Sequence, residues 1–367
     1  MDEFPVGVVV SALGCGLGVI FGATAHRTDF CTMGGLSDIY FMGDWSRFRA
    51  WMLAVAVAIA GSQLLHVNEL IDLSGSIYLT PNLGWAGAIV GGLMFGFGMT
   101  MGGGCGNKTL VRIGTGNLKS LVVAVIMGIF AYMTLRGLIG LARVEFEALT
   151  IIDLTTNGID TQSIPALLTL VGLPEDTSQI AVSFIAVIGV LYFCFKSARF
   201  RSSKIDITAG LIIGLLIPAA WYVTGAIGND DFDPVQIASF TFVAPVGESI
   251  QYLMTFTGAT INFGISIVGG VILGAFISAK TAGEFQFESF TNTEDLARHL
   301  IGGAIMGIGG VLALGCTIGQ GLTGMSTLAV GSVIALASII AGGIFGLKYL
   351  EEDSLSGAFT SLFEKDD

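Results

Sequence analysis

Apolar runs of two lengths alternate along the chain, separated by short polar breaks. Runs long enough to cross a hydrocarbon core of about 30 Å as a helix lie at 6–24, 48–66, 85–102, 118–141 and 180–196, then at 206–224, 257–279, 299–314 and 327–348. Four further apolar pieces, at 31–42, 105–113, 243–254 and 316–324, are too short to cross. Short pieces beside full spans predict re-entrant helices. Backbone of that kind is tolerated at membrane depth only where it is buried in protein or lines a cavity. The pattern therefore predicts an all-α polytopic membrane protein with about nine transmembrane helices and four short re-entrant helices.

One stretch differs. From 142 to 178 the chain turns polar, with Glu145, Glu147, Asp153, Asp160, Glu175 and Asp176 beside Pro165 and Pro174, and it reads as a connector outside the membrane. The second half then repeats the first. A shift of 211 positions, the difference between 316 and 105, lays Gly91, Gly92, Gly96, Gly98, Gly104 and Cys105 on Gly302, Gly303, Gly307, Gly309, Gly315 and Cys316. Six coincidences at one offset indicate an internal repeat. The expected units are a first membrane repeat at 1–145, a polar connector and linking transmembrane helix at 146–204, a second repeat at 205–350 and an acidic tail at 351–367. Because five spans precede the second repeat, it enters the membrane from the opposite side, so the two pseudo-symmetric repeats are expected to be inverted. Inverted repeats with interrupted helices at corresponding positions put a substrate site near the midplane, at the repeat interface.

Composition agrees with a membrane chain: 53% of residues are hydrophobic and 12% charged, against about 25% charged in soluble domains. Small residues let transmembrane backbones approach closely, and Gly87, Gly91, Gly92 and Gly96, with Gly303 and Gly307, supply that spacing on the repeated segments. The net charge of -12 leaves no basic surface to neutralise phosphates, which argues against a nucleic-acid partner and leaves membrane lipid as the surroundings. The first residues, Met1-Asp2-Glu3-Phe4-Pro5, are acidic where a signal peptide is basic, so the first run is expected to stay as a helix. Sorted by loop, the cations that include Arg27, Arg47, Lys108, Arg112, Lys119 and Arg199 fall on one side, and only Arg136 and Arg143 on the other. The opposite loops carry Glu69, Asp72, Asp153, Asp160, Asp230, Asp231 and Asp233. The positive-inside rule then predicts the N-terminus outside and the acidic tail in the cytoplasm.

Candidate chemistry centres on cysteine. The five thiols, at 15, 31, 105, 194 and 316, form neither a CxxC pair nor a metal-ligand spacing, so no disulfide framework or zinc site is expected. Cys15 and Cys194 lie inside ordinary spans, where a free Cys behaves as a small buried hydrophobe. The other three each sit in a Gly-rich turn at the start of a short piece, as in Gly102-Gly103-Gly104-Cys105-Gly106-Asn107-Lys108 and Leu314-Gly315-Cys316-Thr317. Cys31, in Asp29-Phe30-Cys31-Thr32, has no thiol counterpart: an offset of 212 lays Phe30 on Phe242 and Cys31 on Val243. The first turn of a helix offers unpaired N–H groups and the positive end of its dipole, which favour an anion. Gly104, Gly106 and Gly315 admit a ligand against the backbone.

A thiol is a weak donor with a soft, polarizable surface. Such a lining suits an anion with a soft sulfur end, passed between thiols without being held tightly. Bare charge in hydrocarbon costs on the order of tens of kcal/mol, so Asn107, Lys108, Gln320 and backbone N–H groups are the candidates to replace water. Lys108 serves equally well as a snorkelling interfacial cation. Two other patterns carry little. Gly319-Gln320-Gly321-Leu322-Thr323-Gly324 matches GxGxxG without a preceding strand and lacks the Gly-Lys-Ser/Thr ending of a phosphate-binding loop. His26, His66 and His299 stand singly near span ends.

The duplicated Gly-Cys segments, the Phe30-Cys31 segment after the first span and the nine-span length resemble the YeeE/YedE family of sulfur-compound transporters over nearly the whole chain. The resemblance implies uptake of thiosulfate across a bacterial inner membrane, without cofactor or covalent intermediate. It implies that Cys31, Cys105 and Cys316 match three family cysteines that relay the ion through S–H to sulfur hydrogen bonds. It also implies a cytoplasmic TusA-like sulfur-carrier partner. A branch of the family associated with selenium metabolism makes a selenium compound the alternative cargo. Outside the family reading stand a membrane thiol oxidoreductase, in which Cys105 and Cys316 pair or relay electrons, and a Cu(I) channel, which the scattered Met and Cys positions disfavour. The expected protein is not an enzyme.

Overall fold

The structure, a computed structural model, describes residues 5–230, 234–290, 292–352, 354 and 357. Asp231, Asp233, Lys365 and most of the expected acidic tail lie outside the described residues.

The first half runs through α1 (Val6–Thr28), α2 (Thr32–Met42), α3 (Ser46–Val67), α4 (Trp85–Met101), α5 (Gly106–Gly114) and α6 (Leu118–Arg136). The second has α11 (Lys204–Tyr222), α12 (Val243–Met254), α13 (Phe263–Ala282), α14 (Thr293–Leu312) and α15 (Val330–Glu352). Between them α9 (Glu175–Phe195) stands at the periphery, burying only Ser178 and Cys194 while Phe184 and Ile185 face outward. That outward apolar surface is what a lipid-facing helix presents. The short pieces at 31–42, 105–113 and 243–254 are the helices α2, α5 and α12, the first two following closely on α1 and α4. The fourth, at 316–324, is not an α-helix: Gly319–Gly324 forms a single π-helical stretch.

Among the described residues eight helical segments are long and apolar enough to cross a membrane, one fewer than the nine expected. The ninth, α14, has 20 residues. Its first two turns carry Glu294, Asp295, Arg298 and His299, so its apolar part is shorter than a full span. The polar stretch is itself folded: the chain forms α7 (Leu138–Thr150), a two-residue strand pair of β1 (Asn82–Leu83) with β2 (Ile152–Asp153), and α8 (Ile164–Leu168). Arg143 paired with Glu147 on α7, and Ser163 capping α8, satisfy polar groups that read as loop from composition alone.

Packing pairs the halves. Helix α1 lies along α13 and α3 along α11; α4 packs on α14 and α15, α6 on α14 and α12, and α2 touches α15. Exchanging each first-half helix for its second-half counterpart, α1 for α11 by order and α2, α3, α4 and α6 for α12, α13, α14 and α15 at the 211 offset, turns every one of these contacts into another on the same list. Close backbone approach makes them possible. A Cβ at Gly96 would stand 2.1 Å from the Ile339 carbonyl oxygen, and Gly22 and Gly274 lie equally close to the facing carbonyls of Val271 and Val19. The small-residue spacing read from the sequence is thus a set of helix seams, worth their van der Waals packing.

Loops sort into two ends. At one end Asp44 pairs with Arg199 at 2.9 Å, Lys119 with Asp295 at 3.0 Å, and Gln286 meets Thr115. At the other, Leu154 bonds to Pro81, and Ile164 and Val330 bond across between the connector and the last loop. These are the groupings that the alternating spans require.

Candidate functional site

Two of the three singled-out thiols meet in the core. The Sγ atoms of Cys31 and Cys105 lie 3.4 Å apart, although 74 residues separate them. Each is the N-cap of its short helix, in extended backbone conformation, so both thiols stand where unpaired helix N–H groups converge. Gly34 N–H donates to Cys31 Sγ at 3.5 Å, and Cys105 donates to Asn107 Oδ1. With the single Cys105 proton directed at Asn107, the Cys31 S–H points to the Cys105 sulfur. Asn107 Nδ2 closes the arrangement by donating to the Phe30 carbonyl at 3.3 Å. Cys105 and Asn107 are fully buried and Cys31 is 4% exposed. The chain reaches Cys105 through Gly103, whose φ of +69 is free only to glycine. Gly104 packs on the Lys108 stem and Gly106 opens α5 beside Phe242.

Cys316 occupies the corresponding turn of the second half. Leu314, the counterpart of Gly103, holds φ at 57 despite its side chain, a conformation that costs about 1 to 3 kcal/mol when a non-glycine residue is held in it. Gly319 N–H donates to Cys316 Sγ at 3.4 Å, and the backbone of Ile318 and Phe242 lies near the sulfur. Gln320 donates from its backbone to the Cys316 carbonyl at 2.8 Å and from its side chain to the Ala313 carbonyl. Gly315 backs directly onto that Gln320 turn. Thr317, whose hydroxyl has no hydrogen-bond partner, faces Cys105 and so links the two cysteine turns.

The partner of Cys316 is Phe242. It is the N-cap of α12, as Cys31 is of α2, and 31 plus 211 is 242. The same offset that superposes the other two thiols therefore lays Cys31 on Phe242, not on Val243; the 212 alignment is off by one because it matched Phe to Phe instead of cap to cap. The Phe242 ring is fully buried and contacts Phe21 at a centroid distance of 5.4 Å. The Phe242 Cβ lies against Gly106, and its backbone lies near Cys316.

Cavities flank this core on both ends. On the arginine- and lysine-rich end a vestibule of about 770 Å³ is lined by Asp29, Gly103, Lys108 and Arg112 among others. On the other end a pocket of about 20 Å³ is bounded by Tyr78, Gln162, Gln320 and Ser332. Gln162 Oε1, Gln320 Oε1 and Ser332 Oγ have no hydrogen-bond partner, and buried polar atoms of that kind are usually satisfied by water or a ligand. Among the described residues no cluster of three or more His, Cys, Asp or Glu gathers as a metal site.

A family model described as sulphur transport matches residues 27–345. The chain belongs to the sulphur transport family. Two relatives within reach of it are thiosulfate transporters TsuA. That of Escherichia coli K12 is 25% identical over 332 residues, covering 86% of this chain and 87% of the relative. That of Spirochaeta thermophila is 27% identical over 315 residues, covering 84% and 89%. A shorter likeness, 30% identical over 97 residues and covering 26% of this chain, joins it to the probable transporter YedE of E. coli K12.

Within this sulphur transport protein the remaining expectations divide. Cys15 and Cys194 do not join the thiol pair; Cys194 is buried in a separate cluster with Ala50, Leu53 and Phe200 and donates to the Arg49 carbonyl at 3.3 Å. Lys108 is not a free cation, since it is ion-paired with Asp29. The cation that sequence reasoning passed over is Arg112, which lies two turns beyond Cys105 on the same face of α5 and bonds back to the Gly103 carbonyl at 2.7 Å. Its seven-residue spacing from Cys105 was visible in the sequence. What hid it was the count of cations in that loop, where nothing marks which one lacks a carboxylate. Tyr78, Gln162 and Ser332 carried no local signal at all, because the small pocket forms from four distant segments.

Proposed function

We propose that this member of the sulphur transport family moves thiosulfate inward across a bacterial inner membrane, passing it from Cys316 to Cys105 and Cys31. The observation that carries the reading is the Cys31–Cys105 contact at 3.4 Å, a buried thiol pair, with the buried Cys316 at the corresponding turn of the other half. The terminal sulfur of thiosulfate accepts from S–H groups and its oxygens accept from the N–H groups of the helix caps. Neutral thiols bind weakly enough to release it again, and no covalent bond need form.

The halves act as inverted repeats, and the exchange of helix contacts between them supports that reading. The cation-rich vestibule faces the cytoplasm, with the N-terminus outside, on the positive-inside argument. A TusA-like carrier receives the ion at that face. The thiosulfate transporters among the relatives favour thiosulfate over a selenium compound as cargo.

Growth of a bacterium lacking its own thiosulfate uptake, on thiosulfate as sole sulfur source, tests this. The parent chain supports growth, and Cys31→Ala, Cys105→Ala and Cys316→Ala each reduce it severely, with sulfite-fed growth unchanged. Parental growth in all three variants would remove the relay.

A second reading is favoured by the same 3.4 Å contact. If the protein is a thiol oxidoreductase, the reacting pair is Cys31 with Cys105, not Cys105 with Cys316. Cys105→Ser separates the two readings: a hydroxyl keeps a donor in the lining and leaves measurable uptake, whereas redox chemistry is abolished.

A further inference from the structure

The vestibule beside the thiol pair holds cations and carboxylates in nearly equal measure, yet they do not cancel evenly. Lys108 is paired with Asp29, and Lys119 with Asp295 and Glu288. Arg298 is paired with Asp295, and His26 reaches Glu284. Arg27 has no carboxylate partner among the described residues, but its guanidinium is held by the hydroxyls of Ser278 and Thr281. Arg112 also lacks a carboxylate there and makes one hydrogen bond, to the Gly103 carbonyl at 2.7 Å. That bond draws the head group back toward the start of α5, where Nη1 lies within 3.9 Å of where a Gly104 Cβ would stand. Gly104 immediately precedes Cys105. His299 approaches Gly103 from the other side, its Nε2 3.4 Å from that glycine's Cβ position, while its Nδ1 is held by Asp295.

A guanidinium offers five N–H donors in a planar fork that matches two oxygens of an oxyanion at once. One donor is committed to Gly103, and the others are available to the vestibule. Gly103 and Gly104 put no side chains of their own between that fork and the Cys105 cap, and the Lys108 stem lies beside Gly104. A thiol pair provides soft, weak contacts to the sulfur end of a thiosulfate but little for its three oxygens. The Arg112 fork supplies what the pair lacks.

We propose that Arg112 forms an oxyanion-holding station on the vestibule side of the Cys31–Cys105 pair, separate from the thiols, which binds thiosulfate and competes for inorganic sulfate. The proposal rests on the transport reading above but not on its direction. An ion leaving the pair toward the vestibule, or entering from it, is held there by its oxygens while its sulfur end faces the thiols.

The test is uptake of radiolabelled thiosulfate into membrane vesicles of both polarities. In the polarity that exposes the vestibule to the medium, Arg112→Gln raises the half-saturating concentration at least about tenfold and weakens competition by sulfate, as loss of a bidentate charged contact does. In the other polarity the change stays under about twofold, because the medium then meets the opposite mouth. Arg112→Lys keeps the charge without the fork and gives an intermediate rise of about threefold or more. Arg298→Gln, which removes a paired cation from the same vestibule, leaves both polarities unchanged.

The proposal is overturned if Arg112→Gln shifts neither polarity beyond about twofold, or if Arg298→Gln reproduces its effect, which would make the station a general field. Should Arg112→Gln fail to accumulate in the membrane, Arg112→Lys decides alone by the same limits. If the parent vesicles take up no thiosulfate, it is the transport reading that has failed. The station is then judged by calorimetric titration of purified protein with thiosulfate, where equal heats for parent and Arg112→Gln would overturn it and loss of the heat would sustain it.

Discussion

Asn107 joins two parts of the chain that sequence distance keeps apart. Its carbonyl oxygen accepts the Cys105 proton and its amide donates to Phe30, the residue before Cys31. The thiol pair is thereby held by one fully buried side chain as well as by its own helix caps. Asn107→Ala leaves the Phe30 carbonyl without that donor and frees the Cys105 proton, a loss of about 1 to 3 kcal/mol. Asn107→Asp keeps the shape and puts a carboxylate beside the path of an anion. With the transport reading, Asn107→Asp lowers thiosulfate uptake by about 100-fold or more through charge repulsion in a low-dielectric setting, well beyond the effect of Asn107→Ala. Equal uptake by the two variants, at matched membrane levels, would show that no anion passes within reach of position 107.

At the scale of elements, the helices are joined by seams of glycine. Gly96 on α4 and Gly22 on α1 sit against facing backbone at distances that no Cβ tolerates. Gly96→Val must therefore push α4 from α15, and the overpacking costs about 3 kcal/mol or more. The expected measurement is a drop in the thermal unfolding temperature of the detergent-solubilised protein, with loss of uptake in proportion to the folded fraction. By contrast Gly7→Ala, where nothing lies within 4 Å, leaves both unchanged. These seams were legible before the structure because they depend on residue size and spacing along one helix. The spans themselves were legible for the same reason: a run of apolar residues is a local property. α7 was not, because its polar residues follow a helical rhythm that composition does not register. The contact of Cys31 with Cys105 was not legible either, for it exists only when α2 and α5 are brought together by helices that neither contains. The three cysteines were recognisable as special from their glycine turns, but which two are neighbours was decided by packing.

Across the whole molecule, α9 and its short successor α10 (Ala198–Ser202) carry the chain from one half to the other and are fastened at the cation-rich end. Asp44, in the loop between α2 and α3, pairs with Arg199 on α10 at 2.9 Å and accepts from both the N–H and the hydroxyl of Ser46. Burial raises the Asp44 carboxyl, but the Ser46 hydrogen bonds and the Arg199 charge outweigh it and hold the group below its ordinary value. A lowered folded-state value means that this contribution is complete above the ordinary carboxylate range and disappears as pH falls through the folded value. Because Arg199 is 74% exposed, the contribution is about 1 kcal/mol or less. Asp44→Asn accordingly lowers the unfolding temperature at pH 7 and converges on the parent in acid; a gap that persists at low pH would point to packing instead.

Two similar halves would by default offer a traveller the same sequence of contacts whichever mouth it entered. Phe242 breaks that equivalence, because it fills with a hydrocarbon ring the cap position where the other half has Cys31. If the ion follows the proposed relay, it meets a lone sulfur and then a pair of sulfurs from one mouth, and the pair first from the other. The scaffold is ambidextrous, but the rungs set on it are not. A near-palindromic fold thereby acquires a front and a back from the identity of a single side chain.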